Sequence, residues 1–136
     1  MKKTSKIFTL SILGLTLGTA IPVLANSGRT IKSYNIILPR IGNSTTGNII
    51  KVNKSAGINN NQSIGGGKTL NTSIKRASNG SDITPSLKIG SGSRVAFNYN
   101  GGNSNYVGAN TKLSMASGLL NVVRIQTQGS WSPDDK

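Results

Sequence analysis

Residues 93–99, SRVAFNY, contain the clearest secondary-structure pattern in the chain. Apolar Val95, Phe97 and Tyr99 alternate there with residues that are polar or small. Successive side chains of a β-strand point to opposite faces of a sheet, so this period of two predicts a strand with one buried face.

Similar short runs recur along the chain, and turn-forming Gly, Asn and Ser residues separate them. The further predicted strands are TIKSYNIIL (30–38), NIIKV (48–52), KTLNTSIK (68–75), SLKIG (86–90), TKLSM (111–115) and LLNVVRIQT (119–127). Seven or eight strands at this spacing predict an all-β fold, a single antiparallel β-sandwich or jelly-roll-like domain. The alternative is a disordered low-complexity chain, which an aromatic content of only 4% favours.

Two segments are predicted to lie outside the sheets. GINNNQSIGGG (57–67) is rich in Asn and Gly and is predicted to be a mobile loop. Pro133 cannot donate to a strand ladder, so residues 133–136 are predicted to form a frayed tail after the last strand. Trp131, the only tryptophan, is predicted to cover the end of the core at or just past that strand.

The N-terminus has the three parts of a secretory signal peptide. MKKTSK is basic, an apolar stretch follows, and small or apolar Val23 and Ala25 precede Asn26. We therefore predict a signal helix over residues 1–25 and a single all-β domain over 26–136. The alternative is a retained membrane anchor, but Gly14, Gly18 and Pro22 interrupt the apolar stretch. No transmembrane segment is expected after cleavage, and the product is predicted to be secreted and extracellular, either soluble or associated with the cell wall.

The charge balance is strongly basic. Sixteen Lys and Arg residues stand against three acidic residues, which gives a formal net charge of +13. The basic residues are spread singly along the predicted strands, which predicts a folded body with a positive surface. The expected partner is an anionic cell-wall polymer or a membrane surface, whereas nucleic acid is not expected because few aromatic residues are present to stack on bases.

The residue types present argue against most enzyme chemistry. The chain has no His and no Cys, so it cannot build Ser–His or Cys–His nucleophiles or a His- or Cys-ligated zinc site. Asp82 is the only acidic residue before the tail, and paired-carboxylate catalysis and calcium sites both need more. No catalytic residue, metal site or cofactor is predicted, and the protein is not expected to be an enzyme.

Two sets of residues are candidates for binding. The polyanion-binding surface is assigned to basic residues that alternate with apolar positions, Lys51, Lys54, Lys75, Arg76 and Arg94. Tyr106 lies in the Gly- and Asn-rich segment NGGNSNYVGAN (100–110) and is predicted to be an exposed ligand contact.

The segments FNYNGGNSNYVGANTKLSMAS (97–117) and NVVRIQTQGSWSPDDK (121–136) resemble a group of small exported proteins of Gram-positive bacteria. That group has a lysine-rich signal, a Gly/Asn/Ser-rich all-β body and an ending of the type G-x-W-S-P-D. The residues that match this ending are Gly129, Trp131, Ser132, Pro133 and Asp134. Some members are associated with bacteriocin export, and the resemblance implies no catalytic residues.

These observations together predict a secreted, cationic, non-enzymatic protein, bacteriocin-like or associated with the cell envelope. Electrostatic attraction to an anionic bacterial surface is its expected mode of action. Two alternatives stay open: a wall-polysaccharide binding module that uses Tyr106 and nearby Asn side chains, and a structural protein of the extracellular matrix.

Overall fold

The computed structural model describes residues 28–117 and 124–136. The predicted signal peptide, residues 1–25, lies outside the described residues, as do residues 118–123 within and before the LLNVVRIQT run. No helix in the described ranges is long and apolar enough to cross a membrane.

Short antiparallel strands dominate the described part of the chain. They are β1 (Lys32–Leu38), β2 (Asn43–Thr45), β3 (Ile49–Ile50), β4 (Gly57–Ile64), β5 (Leu70–Arg76), β6 (Leu87–Ile89), β7 (Arg94–Phe97), β8 (Asn110–Ala116) and β9 (Ile125–Ser132). Sheet 1 has the strand order β1-β9-β4-β7, and sheet 2 has the order β2-β8-β5-β6, with β3 also paired to β8. The two sheets pack face to face, so the predicted all-β sandwich is confirmed.

The core lies between the sheets and follows the alternation read from the sequence. In β7 and just beyond it, Phe97 and Tyr99 are buried while Arg94 and Ala96 are exposed. Trp131 is only 1% exposed and belongs to the core cluster, but it lies within β9 rather than past its end. The other buried members of this cluster are Tyr34, Leu38, Ile49, Ile64, Leu70, Ile74, Ile83, Ile89, Leu113, Met115 and Ile125.

The prediction of a mobile loop at 57–67 is wrong for most of its length. Residues Gly57–Ile64 form β4, which pairs with β9 on one side and with β7 on the other. The Asn59 side chain is buried and bonded, since its Oδ1 accepts from the Tyr34 hydroxyl (2.7 Å) and its Nδ2 donates to Thr72 Oγ1 (3.1 Å). Buried amides are tolerated when they are hydrogen-bonded, so a polar segment can lie in the middle of a sheet.

The prediction of a frayed tail at 133–136 is also wrong. Pro133 and Asp134 are buried, and the Asp134 carboxylate accepts hydrogen bonds from the backbone amides of Val52 (2.8 Å) and Asn53 (3.2 Å). The Asn53 side chain in turn donates to the backbone oxygen of Lys136 (2.7 Å). Specific hydrogen bonds therefore attach the C-terminus to the segment that follows β3.

One glycine is required where β1 and β9 pair. Gly129 lies opposite Tyr34, and a Cβ at position 129 would come within 2.6 Å of the Tyr34 hydroxyl and 2.5 Å of the Asn60 backbone oxygen. The absence of a side chain at Gly129 gives the Tyr34 hydroxyl its place between the sheets. Asn61 Nδ2 donates to that same hydroxyl (3.1 Å).

Candidate functional site

A row of polar side chains crosses the outer face of sheet 1. Strand register places Ser33 of β1 opposite Ser130 of β9, Ser130 opposite Asn60 of β4, and Asn60 opposite Arg94 of β7. Residues directly opposite each other in adjacent strands point to the same face of a sheet. Two hydroxyls, an amide and a guanidinium therefore lie side by side across four strands.

Ser33, Asn60 and Ser130 of this row line an open cavity that we call the outer-face groove. Its volume is about 470 Å³, within the usual range for small-ligand sites. The lining residues are Ser33, Asn60, Asn61, Gln62, Gly92, Gly129 and Ser130. None of these side chains is charged, so the groove offers hydroxyl and amide hydrogen-bonding groups of the kind that pair with polyols and sugars.

A smaller cavity adjoins the groove at its basic end, and we call it the Arg29–Arg94 pocket. Its volume is about 100 Å³, and its lining residues are Arg29, Ile31, Ile58, Asn60, Arg94, Ser130 and Trp131. Asn60 and Ser130 line both cavities, so the two are neighbours on the outer face of sheet 1. The pocket therefore combines two guanidinium-bearing residues with an apolar contribution from two isoleucines.

The Arg29 side chain is held in place but not fully used. Its Nη1 donates to the backbone oxygen of Asp135 (2.7 Å), whereas its buried Nε has no hydrogen-bond partner in the described part of the chain. Arg94 is exposed, and neither arginine forms an ion pair with a described carboxylate. Guanidinium groups bind phosphates and carboxylates through paired N–H donors, so this arrangement suits an anionic group.

Lys51 is not part of a surface, which corrects its assignment to the polyanion-binding set. Its side chain is 0% exposed, and its Nζ lies 2.9 Å from the Asp134 carboxylate and 4.4 Å from the centre of the Tyr99 ring. The Tyr99 hydroxyl donates to the backbone oxygen of Pro133 (2.7 Å). Burial, together with the negative charge of Asp134, raises the pKa of Tyr99. We call this arrangement of Lys51, Tyr99 and Asp134 the tail clamp.

Lys54 and Lys75 lie apart from each other and from the groove. Lys54 is exposed and lines a shallow cavity of about 580 Å³ together with Asn103 and the last two residues. Lys75 is half-buried on sheet 2, where it forms an ion pair with Asp82 (3.0 Å). Only Lys54 of these two therefore presents an uncompensated charge.

Tyr106 is half-buried, so its assignment as an exposed contact is corrected. The centre of its ring lies 6.0 Å from the centre of the Tyr99 ring. The Arg76 guanidinium lies over the Tyr106 ring, 5.2 Å from the ring centre. Tyr106 also packs against the core cluster. Packing of this kind is consistent with a cation–π contact that fixes the 100–110 segment rather than with a free platform for ligands.

Arg94 is the one member of the predicted set that lines the Arg29–Arg94 pocket, and it lies opposite Asn60 at the end of the row beside the groove. Sequence reasoning missed Ser33, Asn60 and Ser130, which strand register brings to the same face. It also missed Arg29, which precedes β1 and lines the adjoining pocket. Only the pairing of β4 with β7 and β9 shows that they meet, and the alternation within one strand carries no information about its neighbours.

Comparisons with protein-family models, with curated proteins and with solved structures found no match to this chain. Within the described residues, no group of three or more His, Cys, Asp or Glu side chains could hold a metal ion.

Proposed function

We propose that this protein is a secreted, cationic, non-enzymatic protein of the bacterial envelope that binds anionic polymers of the cell surface. The observation that carries the proposal is the way in which the few carboxylates are used. Asp134 is buried against Lys51, and Asp82 pairs with Lys75. Little negative charge is left to balance the remaining basic side chains.

Those remaining side chains lie in strands of both sheets and in the segments between them. The basic residues that form no ion pair with a described carboxylate are Arg29, Lys32, Arg40, Lys54, Lys68, Arg76, Lys88, Arg94, Lys112 and Arg124. A surface of one sign attracts polyanions over long distances and raises their local concentration. Charge of this kind supports binding to an anionic polymer without any requirement for catalysis.

Co-sedimentation with purified cell walls at increasing salt tests the proposal. We expect most binding at low salt and little in about 0.5 M salt. At that concentration, screening by salt limits the attraction between charges to a few ångströms. A chain that does not bind at low salt, or that binds equally well at both, would contradict an electrostatic mode of attachment.

The outer-face groove favours a second function, that of a wall-polysaccharide binding module. Its lining of hydroxyls and amides can pair with sugar hydroxyls, and such bonds are less sensitive to salt than pure charge attraction. Retention on neutral polysaccharide in about 0.5 M salt would support this function. The groove, rather than the half-buried Tyr106, is then the surface to mutate.

A bacteriocin-like role is a more specific form of the first proposal. It requires that attachment to the envelope harms the cell. Purified protein added to related bacterial strains, at concentrations that saturate their walls, should then inhibit growth. Full growth under saturating binding would leave an envelope-associated protein that is not an antimicrobial.

A further inference from the structure

We propose that the Arg29–Arg94 pocket binds one phosphate group of a polyol- or sugar-phosphate polymer, and that the outer-face groove binds the hydroxyl groups next to it. The inference deepens the proposed function and rests on it for the source of the ligand.

Arg29 and Arg94 supply the hydrogen-bond donors of the pocket. Arg29 already uses Nη1 on the backbone oxygen of Asp135, which restrains the guanidinium, and its buried Nε–H has no acceptor among residues 28–117 and 124–136. An unpaired buried donor is costly, and an anionic oxygen would satisfy it. Arg94 also lines the pocket and is free of ion pairs to the described carboxylates.

Apolar side chains lie next to these donors. Ile31 and Ile58 line the pocket beside the arginines and reduce the exposure of a bound group to water. Charge-assisted hydrogen bonds gain strength as the local dielectric falls. A volume of about 100 Å³ accommodates one small anionic group but not the polymer that carries it.

The pocket lies next to the outer-face groove. Asn60 and Ser130 line both cavities, and the register places Asn60 between Ser130 and Arg94. A ligand with its phosphate between the arginines would therefore extend its neighbouring hydroxyls along Ser130 and Ser33. Alternating phosphate and hydroxyl groups are the chemistry of polyol-phosphate and sugar-phosphate chains.

The experiment is an NMR titration of the ¹⁵N-labelled protein with inorganic phosphate, at an ionic strength held constant with chloride. We expect saturable shifts of the Arg29 Nε–H signal and of the backbone amides of Asn60, Arg94 and Ser130. Arg94→Gln should weaken phosphate binding about tenfold or more, since it removes a charge-assisted hydrogen bond to the phosphate. Lys88→Gln removes the same charge from an exposed site on sheet 2 and should leave the affinity within about twofold.

A second arm uses glycerol phosphate and glycerol. Glycerol phosphate should add shifts at Ser33 and Gln62, whereas glycerol alone should give none at the pocket. Shifts that do not saturate, or that Arg94→Gln and Lys88→Gln reduce equally, would show general screening and overturn the pocket. Shifts with inorganic phosphate that glycerol phosphate does not reproduce would contradict a polymer as the ligand and indicate free phosphate instead.

The outcome is separable from that of the proposed function. Salt-sensitive binding to cell walls that Arg94→Gln and Lys88→Gln weaken to the same extent would leave the envelope function standing on distributed charge and remove the phosphate subsite. Saturable phosphate binding in a protein that does not sediment with walls would support the phosphate subsite and contradict the envelope function.

Discussion

Lys51 and Asp134 show how a single residue pair fixes the end of the chain. The two residues are 83 positions apart, and both side chains are fully buried. Removing two charges from water is unfavourable, so such a pair persists only where further hydrogen bonds satisfy it. The Val52 and Asn53 amides satisfy the carboxylate, and the backbone oxygen of Pro133 accepts from the ammonium (3.3 Å).

Asp134→Asn should therefore be strongly destabilising. It leaves the Lys51 ammonium buried without its counter-charge, and breaking a buried pair in this way costs about 3–5 kcal/mol. The free energy of unfolding by denaturant measures the loss. Asp82→Asn is the matched control, because Asp82 is about half exposed and its pair with Lys75 is expected to contribute only about 0–1 kcal/mol. Equal losses in the two variants would contradict the tail clamp.

The buried tyrosines predict a loss of stability in alkaline solution. Burial raises the pKa of Tyr34 and of Tyr99 above the ordinary value of about 10. The unfolded chain then releases these protons at lower pH than the folded chain, so their contribution is complete below about pH 10 and falls above it. We expect Tyr99→Phe to lose stability less steeply with pH between about 9 and 11 than the unmodified protein. Parallel pH profiles would argue against a buried, protonated Tyr99.

Gly129→Ala tests the close approach of β9 to Tyr34. The added Cβ would overlap the Tyr34 hydroxyl and the Asn60 backbone oxygen, and overpacking of this kind costs about 1–3 kcal/mol. Gly47→Ala is the control, since the nearest atom to its added Cβ is Lys32 Nζ at 3.8 Å. Thermal denaturation of both variants should show a lower midpoint for Gly129→Ala alone.

At the scale of elements, the sequence predicted the strands whose buried faces are apolar. The run around Phe97 became β7, and the runs around Ile36, Ile74 and Leu113 became β1, β5 and β8. β4 was missed because its inward positions include Asn59 and Asn61, whose hydrogen bonds reach residues distant in sequence. β2 was not among the predicted strands; it is only three residues long and pairs with β8.

Hydrogen exchange distinguishes the strand from the loop at residues 57–64. β4 is paired on both sides, so its ladder amides should exchange as slowly as those of β9. The exposed turn residues Ser91 and Gly92 provide an internal reference for rapid exchange. Exchange in β4 that is as fast as in this reference would support the mobile loop that the sequence predicted.

At the scale of the whole molecule, composition predicted the positive surface but not where a ligand would bind. Charge could be counted from the sequence, and Arg94 was correctly placed on an outward-facing position. The groove depends on the register of four strands that are not adjacent in sequence, and Arg29 lies before the first of them. Lys51 was misplaced because its partner Asp134 comes from the opposite end of the described chain.

The most direct test of envelope binding compares intact cell walls with walls from which the anionic polymers have been chemically removed. Both preparations are incubated with the purified protein at one low salt concentration, and the bound fraction is measured after sedimentation. We expect intact walls to retain the protein and walls without anionic polymers to retain little of it. Equal retention by the two preparations would contradict the claim that an anionic polymer is the partner.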